Sequence, residues 1–142
     1  MVEFVVSVPV ILLLMFGSFE FGHLMTQYST LNDGVRNAAR YVSGAALQGT
    51  ADTMAAGAAW TTLASQGQNL AVYGNIAGTG SAIIPSLTAA NIVVTEDTVN
   101  RNITVLATYP YVSLFGGPIP TFTGGSLSTA YTLTISTTMR AL

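Results

Sequence analysis

The chain opens with an apolar run that carries no charge from Phe4 to Phe19. Continued as a helix through Glu20 to about Met25, it would span about 30 Å at ~1.5 Å per residue, the thickness of the hydrocarbon core of a bilayer. A helix that is apolar on all sides needs lipid or other protein around it. The rest of this 142-residue chain is too small, and too weakly hydrophobic in pattern, to enclose such a helix. The run therefore predicts a membrane-crossing helix.

A secretory signal peptide is the alternative interpretation of this run. Signal peptides carry a basic region before the apolar residues, whereas this run follows Met1-Val2-Glu3, and no clean small-x-small cleavage site follows it. Basic residues mark the cytoplasmic side of a membrane helix, yet Arg36 and Arg40 come after the run and nothing basic precedes it. We therefore expect that a short basic leader preceded Met1 and was removed, and that the apolar helix is retained.

Helical spacing of apolar residues continues beyond the membrane segment. It indicates one long helix over residues 1–43, apolar at 4–25 and amphipathic at 26–43, with Gly44 as its stop and a globular head over 44–142. Pro9 would kink the helix, and Gly17 and Gly22 would allow another helix to approach closely. The candidate residues of the membrane and assembly surface are Glu3, Phe4, Pro9, Leu12, Leu13, Leu14, Phe16, Gly17, Glu20 and Phe21. Those expected to pack the helix against the head are Tyr28, Leu31, Val35 and Trp60.

The remaining chain predicts a second helix and a small antiparallel sheet. Alanine-rich residues 50–65 favour a helix capped by Thr50 or Asp52 and closed by Gly67. Residues 74–80 are expected to form a loop. Alternation of Thr or Ser with Ile, Val or Leu over 91–95, 102–109 and 131–137 is typical of half-buried antiparallel strands, with a turn at 97–100 and a long excursion at 116–125. The predicted fold class is α+β.

Composition excludes several functions. Half of the residues are hydrophobic, mean hydropathy is +0.55 and 7% are charged, so much of the surface must face lipid, other subunits or a polar Ser/Thr shell. The net charge is −2 and lysine is absent, which argues against nucleic acid as a partner. Cysteine is also absent. With one histidine and few carboxylates, we expect no enzyme activity, cofactor or metal site. Glu20 and His23 share a helix face, and a hydrogen-bonded polar patch explains them better than a metal site.

These features, in this order, resemble the TadE-like pseudopilins of tight-adherence (type IVc) pilus systems. The resemblance rests on Val2-Glu3-Phe4 with Pro9, on Gly17 and Glu20-Phe21-Gly22, on Arg36 to Tyr41, and on the closing Thr-rich strand that ends in Arg140. It implies export as a prepilin, leader removal by a prepilin peptidase, and insertion through an assembly platform into a filament of identical copies. One departure concerns the processing site, because such pilins usually place the glutamate further from the mature N-terminus than Glu3 is from Met1.

The expected function is that of a structural pilin subunit, held first in the inner membrane and then in an extracellular surface filament. Glu3 would meet the N-terminal ammonium of a neighbouring subunit and set the axial register. Alternatively, it is a headgroup-level carboxylate favoured by the helix dipole. Two other functions stay open: a minor or priming pseudopilin of a Tad pilus, and a membrane-anchored periplasmic binding or adhesin domain that does not polymerise.

Overall fold

A computed structural model describes residues 2–48, 53–120 and 125–142, with the side chains of all of these except Val2, Glu3, Val5, Val6, Ile119, Pro120 and Leu127. Its helices are α1 (Val2–Ala45), α2 (Ala58–Tyr73) and a short 3-10 helix (Ala89–Asn91). Its strands are β1 (Leu47–Gln48), β2 (Thr53–Met54), β3 (Ile92–Asp97), β4 (Asn102–Pro110), β5 (Ile119–Pro120), β6 (Ser126–Leu127) and β7 (Thr132–Arg140). The predicted α+β fold is confirmed.

The first helix, α1, has 44 residues and continues through Pro9. It also continues through the expected stop at Gly44 and ends at Ala45, two residues beyond the prediction. Its C-terminal half enters the head, where Leu31, Val35 and Val42 are fully buried. Apolar residues at i, i+4 and i+11 lie on one helix face, and here that face packs on α2 and the sheet.

The main sheet is antiparallel, with strand order β3-β4-β7. Pairing brings Val94 opposite Val105 and Ala107 opposite Ile135. Alternate residues of β4 are buried, including Ile103, Val105 and Tyr109, because one face covers α1 while the other is solvated. Thr108, Thr134 and Ser136 lie on the exposed face, where their hydroxyls supply polar surface without charge.

The expected turn between β3 and β4 is present. The Asp97 side chain accepts hydrogen bonds from the backbone N–H of Val99 and of Asn100 and from the Asn100 amide group. The bonds from Asn100 hold the pKa of Asp97 below its usual value. Arg101 takes the left-handed conformation (φ 54°) that completes the reversal.

The predicted second helix is wrong in its bounds: α2 begins eight residues later than expected and ends at Tyr73. The expected caps, Thr50 and Asp52, lie outside the described residues. Where the described residues resume, Thr53 and Met54 pair with β1 instead of forming a helix, and Ala55 N–H bonds Ala46 O. A short ladder thus competes successfully with the helix propensity of alanine.

The sequence predicted that Gly67 closes α2, and this is wrong. Gly67 lies buried within the helix. An added Cβ there would stand 2.5 Å from Val42 Cγ2, so the absence of a side chain is what lets α2 approach α1. The actual end is Gly74, whose left-handed φ of 72° suits glycine and whose N–H reaches Leu70 O. The residues after it form the expected loop.

Candidate functional site

The N-terminal half of α1 presents a large exposed apolar surface. Within the described residues, Ser7–Ala45 is the one helix long and apolar enough to cross a membrane, and 6% of its most apolar 18-residue window is buried in the protein. The exposed large side chains on this half are Phe4, Val10, Ile11, Leu12, Leu14, Met15, Phe16, Phe19, Phe21 and Met25. Such a surface is too large to face water in an isolated protein.

Most sequence-predicted residues of this surface are exposed on α1. Phe4, Leu12, Leu14, Phe16, Gly17 and Phe21 are exposed, whereas Pro9 and Leu13 are half-buried. The space beside Gly17 is open, since an added Cβ would meet nothing within 4 Å. Glu3 belongs to α1, but its side chain lies outside the described set, so its assembly role stays a prediction.

Of the four residues expected to pack α1 against the head, two lie at its centre. Leu31 and Val35 are completely buried. Trp60 is half-buried on α2 and packs against the edge of the core. Tyr28 is exposed on α1 and is absent from the core cluster.

A buried polar cluster marks the end of the uncharged part of α1. Glu20 is 7% exposed although its neighbours Phe19 and Phe21 are exposed. The Tyr111 hydroxyl donates to Glu20 Oε1 (2.9 Å), and the Leu114 N–H donates to Glu20 Oε2 (3.2 Å). Both carboxylate oxygens therefore have a partner from the head, as a buried charge requires.

The cluster continues along α1 through His23 and Gln27. His23 Nδ1 lies 3.2 Å from the Tyr111 hydroxyl, and His23 Nε2 lies 3.3 Å from Gln27 Nε2. All of these bonds can form at once, each donor pointing towards Glu20, when neutral His23 carries its proton on Nδ1. Gln27 then donates to His23, His23 to Tyr111, and Tyr111 to Glu20. The Gln27 amide also reaches Val112 O (3.4 Å).

Burial, the hydrogen bond to Glu20 and the negative charges of Glu20 and Tyr109 raise the pKa of Tyr111 far above its usual value. The hydroxyl therefore stays protonated and remains a donor. The sequence analysis does not identify Tyr111 as part of this cluster. No local pattern links it to Glu20, which is 91 positions away.

Two depressions adjoin the cluster. One, of about 300 Å³, is lined by Gly17, Glu20, Phe21, Leu24, Tyr111, Ser128, Thr129 and Tyr131. A more open one, of about 580 Å³, lies between the segments 111–118 and 126–130. Neither contains a charged side chain other than Glu20, and in the part of the chain that the structure describes no three His, Asp or Glu side chains gather as a metal site would require.

Among protein families, the one described as TadE-like protein matches residues 1–40. Comparison with the curated proteins and with solved structures gives no match. The resemblance inferred from the sequence is thereby confirmed over 40 of the 142 residues, the segment that holds the exposed half of α1 and the residues Glu20, His23 and Gln27. The match to this family and the long apolar helix fit a membrane-anchored protein.

Proposed function

We propose that this TadE-like chain is a structural pilin subunit, which α1 first holds in the inner membrane and which then polymerises into an extracellular filament. Its role is mechanical and not catalytic. Its partners are copies of itself, the membrane before assembly, and the prepilin peptidase and assembly platform that the family implies. Adhesion, attachment, biofilm formation or secretion would follow from the filament.

One observation carries the proposal: the two halves of α1 differ in what covers them. The C-terminal half is inside the core of the head, whereas the N-terminal half exposes nearly all of its large apolar side chains. The head leaves that half uncovered, so lipid or other copies must cover it. A subunit that moves from bilayer to fibre needs one surface that is compatible with both.

The energetics indicate how this surface would drive assembly. Moving several hundred Å² of apolar surface out of water is worth on the order of 10 kcal/mol at about 25 cal/mol per Å². Moving the same surface from lipid into a filament stabilises much less, because acyl chains are also apolar. Close packing between helices therefore has to supply most of the free energy of assembly from the membrane. The open surfaces of Gly17 and Gly22 allow such an approach. Extraction from the bilayer would still need an energy-using assembly machine.

The direct test is electron microscopy of sheared surface material, with peptide mapping of its main protein. We expect filaments whose main component is this chain, with the segment Phe4–Phe19 still attached. Loss of that segment from the mature protein would contradict the proposal, since it is the proposed filament core.

Two substitutions separate assembly from membrane insertion. Glu3→Ala should leave insertion intact and abolish or shorten filaments. Gly17→Leu stays compatible with lipid but blocks close helix approach, and should reduce filament number several-fold, whereas Gly17→Ala as its matched control should have a much smaller effect. Normal filaments from both Glu3→Ala and Gly17→Leu would rule out assembly through this surface.

A minor or priming pseudopilin is the second candidate, favoured by the TadE-like match itself. Abundance distinguishes the two: a minor subunit would be a small fraction of sheared filaments that still depend on it. Protein that stays dispersed in the membrane, with no filament requiring it, would instead indicate an anchored binding or adhesin domain.

A further inference from the structure

The segment 112–115 of the head runs along α1 towards its N-terminus. Val112 O lies near the Gln27 amide (3.4 Å), and the Leu114 N–H bonds the Glu20 carboxylate (3.2 Å). The ring of Phe115 then meets that of Phe16 edge-on, with centroids 5.3 Å apart. Eleven positions of α1, about 16 Å of helix, separate the first of these contacts from the last.

The end of this segment, which we call the apolar tip (Leu114 and Phe115), is exposed and held in place. Leu114 is 55% exposed and Phe115 is 47% exposed. Gly116, at φ 71°, reverses the chain and its N–H bonds Ser113 O. Hydroxyls of Ser113 and Thr129 both donate to Gly117 O, which fixes the turn.

Charge is distributed unevenly between the two ends of the head. No charged residue occurs in the sequence between Arg101 and Arg140, a stretch that includes the apolar tip. Asp97 and Arg101 lie in the β3–β4 turn, and the Arg101 carbonyl accepts from Ala141 beside the end of α1. That end is about 35 Å from Glu20 along α1.

We propose that the apolar tip inserts into the boundary between headgroups and acyl chains of the same membrane that α1 crosses. This inference rests on the membrane stage of the proposed function. The tip lies at the level where the uncharged run of α1 ends, so it continues the apolar surface of the span instead of forming a separate patch. The stretch around the tip also carries no charged side chain, which would be costly at the boundary with the acyl chains.

Insertion would have two consequences for the subunit before assembly. The tip and Tyr111 cover the Glu20 carboxylate, which would be costly in contact with acyl chains. Two points of attachment, α1 and the tip, would also fix the tilt and rotation of the head on the bilayer. The exposed ring of Tyr131, which lines the groove with Gly17 and Glu20, suits the headgroup level that tyrosine prefers.

The absence of cysteine allows spin labels to be placed one at a time in the full chain. The labelled variants are Leu114→Cys, with Phe115→Cys as a second tip position, Leu14→Cys within α1, and Val99→Cys at the far turn, where the native side chain is 89% exposed. Each is reconstituted in phosphatidylcholine vesicles at low protein density. Collision of the label with oxygen, which concentrates in lipid, is compared with collision with a water-soluble nickel chelate.

The expected oxygen-to-nickel ratio at the tip is several-fold higher than at position 99 and lower than at position 14. A tip ratio equal to that at position 99 overturns the inference. A low collision rate of the tip label with both reagents, together with spin–spin broadening, would show that another copy covers the tip and also overturns it. A water-like ratio at position 14 would refute the membrane stage itself, so the two failures are distinguishable.

Discussion

Glu20 is the residue whose environment most depends on the head. Its carboxylate directly follows the uncharged run of α1, and His23, one turn further along the same helix face, contacts the Tyr111 hydroxyl instead. Two donors from the far part of the chain satisfy it, one a hydroxyl and one a backbone N–H. Hydrogen bonds to a charged group contribute about 1.5–3 kcal/mol, more than those between neutral groups.

Replacement of Tyr111 by phenylalanine should destabilise the head. Tyr111→Phe removes the hydrogen bond to the buried Glu20 carboxylate and the one to half-buried His23, so we expect a loss of about 1–3 kcal/mol in the free energy of unfolding. Urea unfolding in detergent micelles measures it. Tyr131→Phe is the matched control, because its ring is exposed, and should change stability by less than about 0.5 kcal/mol. Equal effects of the two substitutions would contradict the assigned role.

Alkaline pH should destabilise the protein through Tyr109 and Tyr111. Burial raises the pKa of both, and Glu20 raises that of Tyr111 further. Above about pH 10 the unfolded chain loses these protons before the folded chain does, so the folded state binds more protons and stability falls as pH rises. Below about pH 10 this contribution is fully present. Thermal unfolding in micelles between about pH 8 and 11 should show the fall, and Tyr109→Phe with Tyr111→Phe should flatten it. An unchanged slope in that double variant would refute the assignment.

At the scale of elements, two glycines set the distance between α1 and α2. A Cβ at Gly34 would lie 2.9 Å from Ala71 O, and one at Gly67 would lie 2.5 Å from Val42 Cγ2. Both sites are buried, so neither neighbour can move away into solvent. Each helix thus contributes one glycine to the contact, and the sheet then covers the pair from the other side.

Gly67→Ala should destabilise the protein, although alanine is the better helix former. The propensity gain of about 1 kcal/mol is outweighed by an overpacking cost of about 1–3 kcal/mol against the stiff, buried Val42. Gly44→Ala is the matched control: it lies in α1 with open space around it and should stabilise by up to about 1 kcal/mol. Chemical unfolding measures both, and Val42→Ala should relieve part of the Gly67→Ala cost. A stabilising Gly67→Ala would show that the helices are not in close contact there.

At the scale of the whole molecule, the core and the apolar surface are separate. All fully buried large side chains of the described residues lie at Leu31 or later in the sequence. The N-terminal half of α1 therefore contributes little to holding the head together, and its contacts with the head include the Glu20 cluster, the Phe16–Phe115 pair and Leu24 at the edge of the core. Folding of the head and burial of the apolar helix can then proceed as distinct events.

A chain that begins at Phe19 should keep the folded head and become soluble without detergent. It retains Glu20 and the entire core, so its free energy of unfolding should differ from that of the full chain by less than about 1 kcal/mol. Circular dichroism and urea unfolding measure the fold and its stability, and sedimentation measures association. A truncated chain that has native secondary structure but no cooperative unfolding would show that the N-terminal half of α1 is part of the core.

Local periodicity was enough to predict the types of the main elements. The 3.6-residue repeat around Leu31 and Val35 placed the long helix, and the alternation around Ile103 and Val105 placed the strands, because the side that is buried repeats at the period of the backbone. The uncharged run to Phe19 predicted the exposed apolar half of α1 for a different reason, since a helix that is apolar on all sides cannot be enclosed by so small a head.

Tertiary structure alone decided the bounds of α2 and the partner of Glu20. The local pattern predicts a helix end at Gly67, yet α2 continues through it. Glycine is needed there because Val42 of α1 occupies the space that a side chain would fill. Tyr111 and Leu114 reach Glu20 across more than ninety positions of chain. Sequence patterns report which side of an element is buried, whereas the identity of what covers it depends on how the elements pack.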